Sequence, residues 1–164
     1  MSGQFELRCP ITYDLGLIRG LVRLFAQHAG LSGGRLENLT LAVNEAVTNV
    51  LDHAGAAGTV SATSDDDGVT VEVVDLAGTL LPEHLTAAHV DPTSTHGFGL
   101  WVIRCVCDEV TLDHPDGRTR LRMSMRYKPP VPPFVTSFTS DAFTSDAFTS
   151  DAFTSDGDCS GAVG

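Results

Sequence analysis

An apolar stripe of helical spacing runs through the segment from Leu36 to Ala54. Its members recur every three or four residues, the period of one helix face: Leu36, Leu39, Val43, Val47, Val50 and Ala54. Glu45 and Asn49 are four residues apart, so their side chains share a face beside the stripe. A carboxylate next to a carboxamide suits a site that needs a base and an oxygen ligand for a hard metal. The alternative is a solvated helix face.

A second motif, from Thr95 to Trp101, places two glycines at the start of another apolar segment. Gly97 and Gly99 lead into a predicted helix over residues 98–106. Glycines that open a helix bring backbone N–H groups close to phosphate, whereas simple loop hinges are the alternative. A Rossmann-type dinucleotide site is disfavoured, because the first glycine follows a loop and no βαβ unit surrounds it.

Along the chain, predicted helices follow one another and predicted strands follow one another, instead of alternating. Asp14 and Gly30 are the expected N-cap and stop of a first helix. Gly33 and Gly34 are expected to separate it from the helix that carries Glu45 and Asn49. Two turns, at residues 65–68 and 114–117, predict hairpins. The remaining elements are strands at 5–9, 59–64, 69–75, 110–113 and 118–127, a short helix at 82–90 and a polar loop at 91–96. Blocks joined by hairpins predict an α+β fold, a two-layer sandwich with helices on one face of a mainly antiparallel mixed sheet.

Length and charge narrow the class of protein. The 164 residues allow one domain, expected at residues 1–128. The net charge of −11 comes without a dense basic stripe. Alternating arginines on the last predicted strand indicate a solvated strand face, with a partner-binding patch as the alternative: Arg118, Arg120, Arg122 and Arg126. We therefore expect no direct nucleic-acid binding. No apolar run is long enough for a membrane span, and the N-terminus lacks an export signal, which predicts a cytoplasmic protein without membrane association.

The last segment, residues 129–164, has a different composition. A proline-rich spacer precedes a five-residue repeat, Phe-Thr-Ser-Asp-Ala, which begins at Phe138. The repeat has neither helical nor strand periodicity and cannot bury an apolar face, so we predict a disordered tail.

Together the motifs resemble the GHKL superfamily of ATP-binding domains, over about residues 5–127. The first motif is Glu45-Ala-Val-Thr-Asn49, and the last is Gly117-Arg-Thr119. Between them come Asp75 at the end of a strand and the intact Gly97-Phe-Gly99-Leu100. The combination is most similar to small bacterial anti-sigma factors that are also serine/threonine kinases.

The resemblance implies ATP and Mg²⁺ as ligands, and it implies a role for each motif. Glu45 would be the catalytic general base and Asn49 the ligand of Mg²⁺. Asp75 would accept a hydrogen bond from the adenine amino group, with Thr119 nearby through water. The other implied nucleotide-binding residues are Gly78, His96, Gly97, Phe98, Gly99 and Leu100, with residues 82–96 as a lid. Ala77 and Thr79 stand where the family has glycine, so we expect ATP affinity below the family's usual level.

The resemblance also implies partner proteins, and it is compatible with more than one function. The favoured hypothesis is an anti-sigma factor with serine/threonine kinase activity, which binds a sigma factor and phosphorylates a STAS-type anti-anti-sigma protein. The main alternative is a non-catalytic, degenerate ATP-binding or nucleotide-free module that sequesters a partner. A histidine-kinase catalytic domain is disfavoured, because no helix with a phosphoacceptor histidine precedes the domain. The oligomeric state stays open, with a homodimer among the alternatives.

Overall fold

A computed structural model describes residues 6–54, 57–78 and 98–129 of the chain. These residues belong to one compact unit. They form the strands β1 (Glu6–Pro10), β2 (Gly58–Ser64), β3 (Gly68–Asp75), β4 (Glu109–Asp113) and β5 (Thr119–Arg126), and the helices α1 (Leu15–Ala29), α2 (Gly33–Ala54) and α3 (Phe98–Val106). A short 3-10 turn, Pro115–Gly117, joins β4 to β5. The short helix predicted at 82–90, the loop at 91–96 and the tail from 130 onward lie outside the described residues.

The five strands form one sheet in the order β1-β2-β3-β5-β4, and each described pairing is antiparallel. Burial alternates along the strands, so one face is apolar and the other is polar. The predicted α+β sandwich is confirmed. The mixed sheet expected at the outset is entirely antiparallel within the described strands.

The helices cover the apolar face of the sheet. α2 packs on β3 and β5, while α1 covers β1 and β2, and α3 lies against α2 and β4. Five of the six residues of the predicted stripe on α2 are confirmed on its buried face, and nothing is described for the side chain of the sixth, Ala54. The buried face carries Leu36, Leu39, Ala42, Val43, Ala46, Val47 and Val50. Each fully buried Val or Leu contributes about 1.5–3 kcal/mol to folding, so this stripe fixes which face of α2 turns outward.

Both ends of α1 are capped as the sequence predicted. The carboxylate of Asp14 accepts a hydrogen bond from the Leu17 N–H at 2.9 Å. Gly30 ends the helix with a left-handed φ of 114°, which glycine adopts without strain. The start of α2 differs from the expectation. Gly33 and Gly34 were expected to separate the two helices, but α2 already begins at Gly33.

The outer face of the sheet carries cross-strand ion pairs. Arg120 donates to Asp113 at 2.9 and 2.5 Å, and Arg122 donates to Glu72 at 2.8 and 2.5 Å. These arginines alternate along β5, as the sequence indicated for a solvated strand face. Exposed pairs of this kind contribute little to stability, so their main effect is to keep this face of the sheet polar.

A less exposed polar network ties three elements together at the end of β5. Arg35 near the start of α2 forms an ion pair with Asp108, and its Nε donates to the Arg126 carbonyl at 2.6 Å. Asp108 also accepts from the Arg126 backbone N–H at 2.7 Å. The side chains are only 23% and 11% exposed for Arg35 and Asp108, so their partners replace water that each charge has lost.

We expect Asp108→Ala to lower the free energy of unfolding by about 2–4 kcal/mol, because the Arg35 guanidinium would lose its partner in a poorly hydrated place. Urea denaturation followed by circular dichroism measures this change. Asp113→Ala is the matched control: it breaks a surface pair with Arg120 and should leave the free energy nearly unchanged. Equal losses in both variants would contradict the assigned role of Asp108.

No helix among residues 6–54, 57–78 and 98–129 combines the length and the apolar character that a membrane span requires.

Candidate functional site

The outward edge of α2 carries the predicted base and metal ligand. Glu45 and Asn49 are both half-buried, because the neighbouring Ala46 and Val50 are packed into the core. The side chain of Asn44 donates to Glu45 Oε1 at 3.4 Å, a long contact that the sequence reasoning missed. The Glu45 carboxylate therefore lies at the boundary between core and solvent. There it is contacted by a neighbouring side chain and is still accessible as a proton acceptor.

Gly99 at the start of α3 lies directly against these two side chains. A β-carbon added at Gly99 would be 3.2 Å from Glu45 Oε2 and 3.3 Å from each amide atom of Asn49. Such contacts are tighter than ordinary van der Waals packing, so glycine lets the start of α3 approach these two side chains more closely than a residue with a β-carbon could. The structure thus brings together two motifs about fifty residues apart in the sequence, the carboxylate and amide of α2 and the helix start of α3.

The two residues that the resemblance places near adenine lie at one end of the sheet. Asp75 ends β3 and Thr119 begins β5, and the two face each other in register. Each is 1% exposed, and they are the buried polar residues of the described chain. Both continue the inward-facing rows of their strands, so they lie on the helix side of the sheet. A buried carboxylate and hydroxyl on this side can recognise a ligand by hydrogen bonds.

The turn after Asp75 contains a hydrogen bond to the Asp75 side chain and lies close to the backbone of Gly117. The Ala77 N–H donates to Asp75 Oδ1 at 2.8 Å. Gly78 has a left-handed φ of 64°, and a β-carbon there would lie 2.3 Å from the Gly117 carbonyl oxygen. Glycine is therefore required at position 78. Ala77 is not among the described residues with a positive φ, so its side chain is compatible with this turn.

A residue that the sequence reasoning did not single out contacts this pair. Nε2 of His114 lies 3.2 Å from the Thr119 hydroxyl. His114 follows β4 and precedes the 3-10 turn, which brings its ring back toward the first residue of β5. The only signal in the sequence was its place in the predicted 114–117 turn, five residues before Thr119.

The remaining predicted residues differ in where they lie. Leu100 is buried in the core at 4% exposure, so only its backbone is available to a ligand. Phe98 is 54% exposed, and its ring contacts Trp101 with centroids 5.3 Å apart. His96 and Gly97 lie outside the described residues. Of the predicted site residues, Glu45, Asn49 and Gly99 are the ones that the described structure brings into one cluster.

Cys107, which follows α3, is the nucleophilic side chain whose pKa is most clearly shifted. Burial, together with the nearby charge of Asp108 and against the opposing charge of Arg35, raises the pKa of its thiol to about 12. The thiol is therefore protonated at neutral pH, and a protonated thiol is a poor nucleophile.

Comparison with known proteins agrees with this geometry. The family model described as a histidine kinase-like ATPase domain matches residues 12–125. A search of curated proteins finds no significant match.

Two solved structures illustrate the similarity of fold. One is the SiaB-SiaC complex from Pseudomonas aeruginosa, with a TM-score of 0.56 and 17% identity over 74% of this chain and 88% of that chain. The other contains the RsbU and RsbW domains of a Mycobacterium tuberculosis protein, with a TM-score of 0.54 and 17% identity. The second match covers 76% of this chain and 32% of the other. At this identity the likeness concerns the fold alone.

Proposed function

We propose that this chain, which belongs to the histidine kinase-like ATPase domain family, binds ATP with Mg²⁺ and transfers its terminal phosphate to a serine or threonine of a partner protein. The observation that carries the proposal is the cluster at Gly99. There the backbone at the start of α3 lies against a carboxylate that can accept a proton and an amide that can ligate a hard cation.

The proposed reaction uses these residues in separate roles. Glu45 accepts the proton of the attacking serine or threonine hydroxyl. The oxygen of that hydroxyl bonds to the γ-phosphorus, and the bond between the γ-phosphorus and the oxygen it shares with the β-phosphate breaks, which releases ADP. Asn49 supplies an oxygen ligand from the same helix face. Mg²⁺, when bound, would neutralise the charge of the phosphates. Asp75 accepts a hydrogen bond from the adenine amino group, a role that guanine's carbonyl could not satisfy.

The proposed partners are those that the resemblance to anti-sigma factor kinases implies, and two structural neighbours support a partner protein. One neighbour was solved in a complex of two proteins, SiaB and SiaC, and another contains an RsbW domain beside an RsbU domain. These matches support a regulatory chain that acts on other proteins. We propose that this chain is an anti-sigma factor, that it binds a sigma factor, and that the phosphoacceptor is a STAS-type anti-anti-sigma protein. The proposal places it in the cytoplasm, where these partners act.

A second candidate function is a binding module without catalysis. Ala77 and Thr79 occupy the glycine positions of the family motif, which favours weak or absent nucleotide binding. Glu45 opposes this alternative, because a module that only binds needs no base.

Calorimetric titration with ATP, with and without Mg²⁺, separates the two candidates. We expect binding that strengthens with Mg²⁺, and we expect a variant with both Ala77→Gly and Thr79→Gly to bind several-fold more tightly. Asp66→Gly, in the β2–β3 turn, is a control substitution outside the cluster and should leave affinity unchanged. Absence of binding at millimolar ATP would contradict the kinase proposal and leave the nucleotide-free module.

A further inference from the structure

The His114–Thr119 contact determines how a buried hydroxyl can act. Thr119 is 1% exposed, and His114 Nε2 lies 3.2 Å from its oxygen. A threonine hydroxyl has one proton to donate and two lone pairs that accept. That proton can point to only one acceptor at a time. The protonation of Nε2 therefore decides whether the proton points at His114 or elsewhere.

Two arrangements follow from the chemistry of imidazole. If Nε2 carries no proton, it accepts from Thr119, and the hydroxyl offers only lone pairs to its other neighbours. If Nε2 carries a proton, in the neutral tautomer or in the imidazolium, it donates to Thr119. The hydroxyl proton is then directed away from His114. The same side chain thus presents either an acceptor or a donor on the helix side of the sheet.

The position of Thr119 makes this choice matter for a ligand. Thr119 stands in register with Asp75 at the end of β3. An ionised Asp75 can only accept hydrogen bonds, so the hydroxyl adds a donor, or a second acceptor, beside it. Gly117, whose carbonyl meets the Gly78 turn, keeps the loop that carries His114 next to the loop that follows Asp75.

We infer that His114 is a positioning residue for purine recognition, which sets the direction of the Thr119 hydroxyl and thereby the pattern of donors and acceptors offered beside Asp75. The inference rests on the proposed nucleotide binding and adds a specificity role at the same site. His114 acts through Thr119 and needs no contact of its own with the ligand. Its removal takes away the hydrogen-bond partner that lies 3.2 Å from the hydroxyl, so the preference for one purine edge declines.

A double-mutant cycle tests this inference on the full-length chain. Affinities for ATP and for inosine triphosphate are measured for wild type, His114→Ala, Thr119→Val and the double variant. We expect His114→Ala to weaken ATP binding about 3- to 10-fold, the range for one hydrogen bond, and to lower the ratio of ATP to inosine triphosphate affinity. In the Thr119→Val background the same substitution should change ATP affinity less than about twofold.

Each outcome of the cycle has a distinct meaning. Factors that multiply across the cycle, or equal losses for both nucleotides, would overturn the role of His114 while leaving ATP binding intact. Absence of ATP binding by the wild-type chain would overturn the proposed function and this inference together. Substitution of the exposed His28 by alanine is the matched control and should leave both affinities unchanged.

A ligand-free measurement guards against variants that fail to fold. The ¹⁵N chemical shift of His114 Nε2 reports its protonation and hydrogen bonding. We expect this shift to move in Thr119→Val and to stay at its wild-type value in Thr119→Ser, which keeps the hydroxyl. The same shift in all three proteins would overturn the inference, because it would show that the ring does not sense the hydroxyl.

Discussion

Glu45→Ala is expected to reduce phosphate transfer from ATP by about 10²–10⁴-fold, the usual range for the loss of a general base. Affinity for Mg·ATP should stay within a few-fold of wild type, because the carboxylate acts on the attacking hydroxyl. Asn49→Ala should weaken both affinity and transfer, since its oxygen is proposed to hold the metal. The measurements are radiolabelled transfer to a STAS-domain protein from the same cell and an ATP titration.

Glu37→Ala provides a control with the same residue type on the same helix. Glu37 pairs with Arg23 of α1 at 2.6 and 2.8 Å, two turns before Glu45 and outside the cluster. Neither affinity nor transfer should change. Unchanged transfer in Glu45→Ala, or equal losses of affinity in Glu45→Ala and Asn49→Ala, would remove Glu45 from the proposed mechanism.

Gly99→Val is expected to weaken ATP binding by about 10- to 100-fold, because the added carbons would occupy the space beside Glu45 and Asn49. The first of these carbons would already lie 3.2 Å from the carboxylate, and overpacking of this kind costs about 1–3 kcal/mol. Titration calorimetry with ATP measures the loss, and thermal unfolding shows whether the domain remains folded.

Gly20→Val on α1 is the matched substitution, because a β-carbon there would meet nothing within 4 Å. Both variants place a β-branched residue in a helix, so both carry the same intrinsic propensity. If Gly20→Val weakened ATP binding as much as Gly99→Val, the loss could not be assigned to the cluster.

The sequence predicted the described helices and strands because their periodicity is strong. The α2 stripe and the caps of α1 depend on local spacing and local hydrogen bonds, which a sequence displays directly. The start of α2 at Gly33 was missed, since two glycines lower helix propensity and give no sign that the helix continues through them.

Contacts between distant segments were harder to predict. The approach of Gly99 to Glu45 follows from packing α3 on α2, and only the family resemblance indicated it beforehand. The His114 contact depends on the path of the 114–117 turn. Within that turn Asp116 has a positive φ of 55°, an uncommon conformation for a residue other than glycine. The Arg35–Asp108 pair joins residues 73 positions apart, and no local pattern marks such a pair.

The direction of β5 has a practical consequence for attaching probes. Its first residue, Thr119, lies at the proposed adenine site, and its last, Arg126, is seven residues further along the strand. At about 3.3 Å per residue the two ends are roughly 23 Å apart. Tyr127 then lies near Gly30, at the C-terminal end of α1. A surface tether placed at Lys128 would therefore hold the domain far from Asp75 and Thr119, at the opposite end of β5.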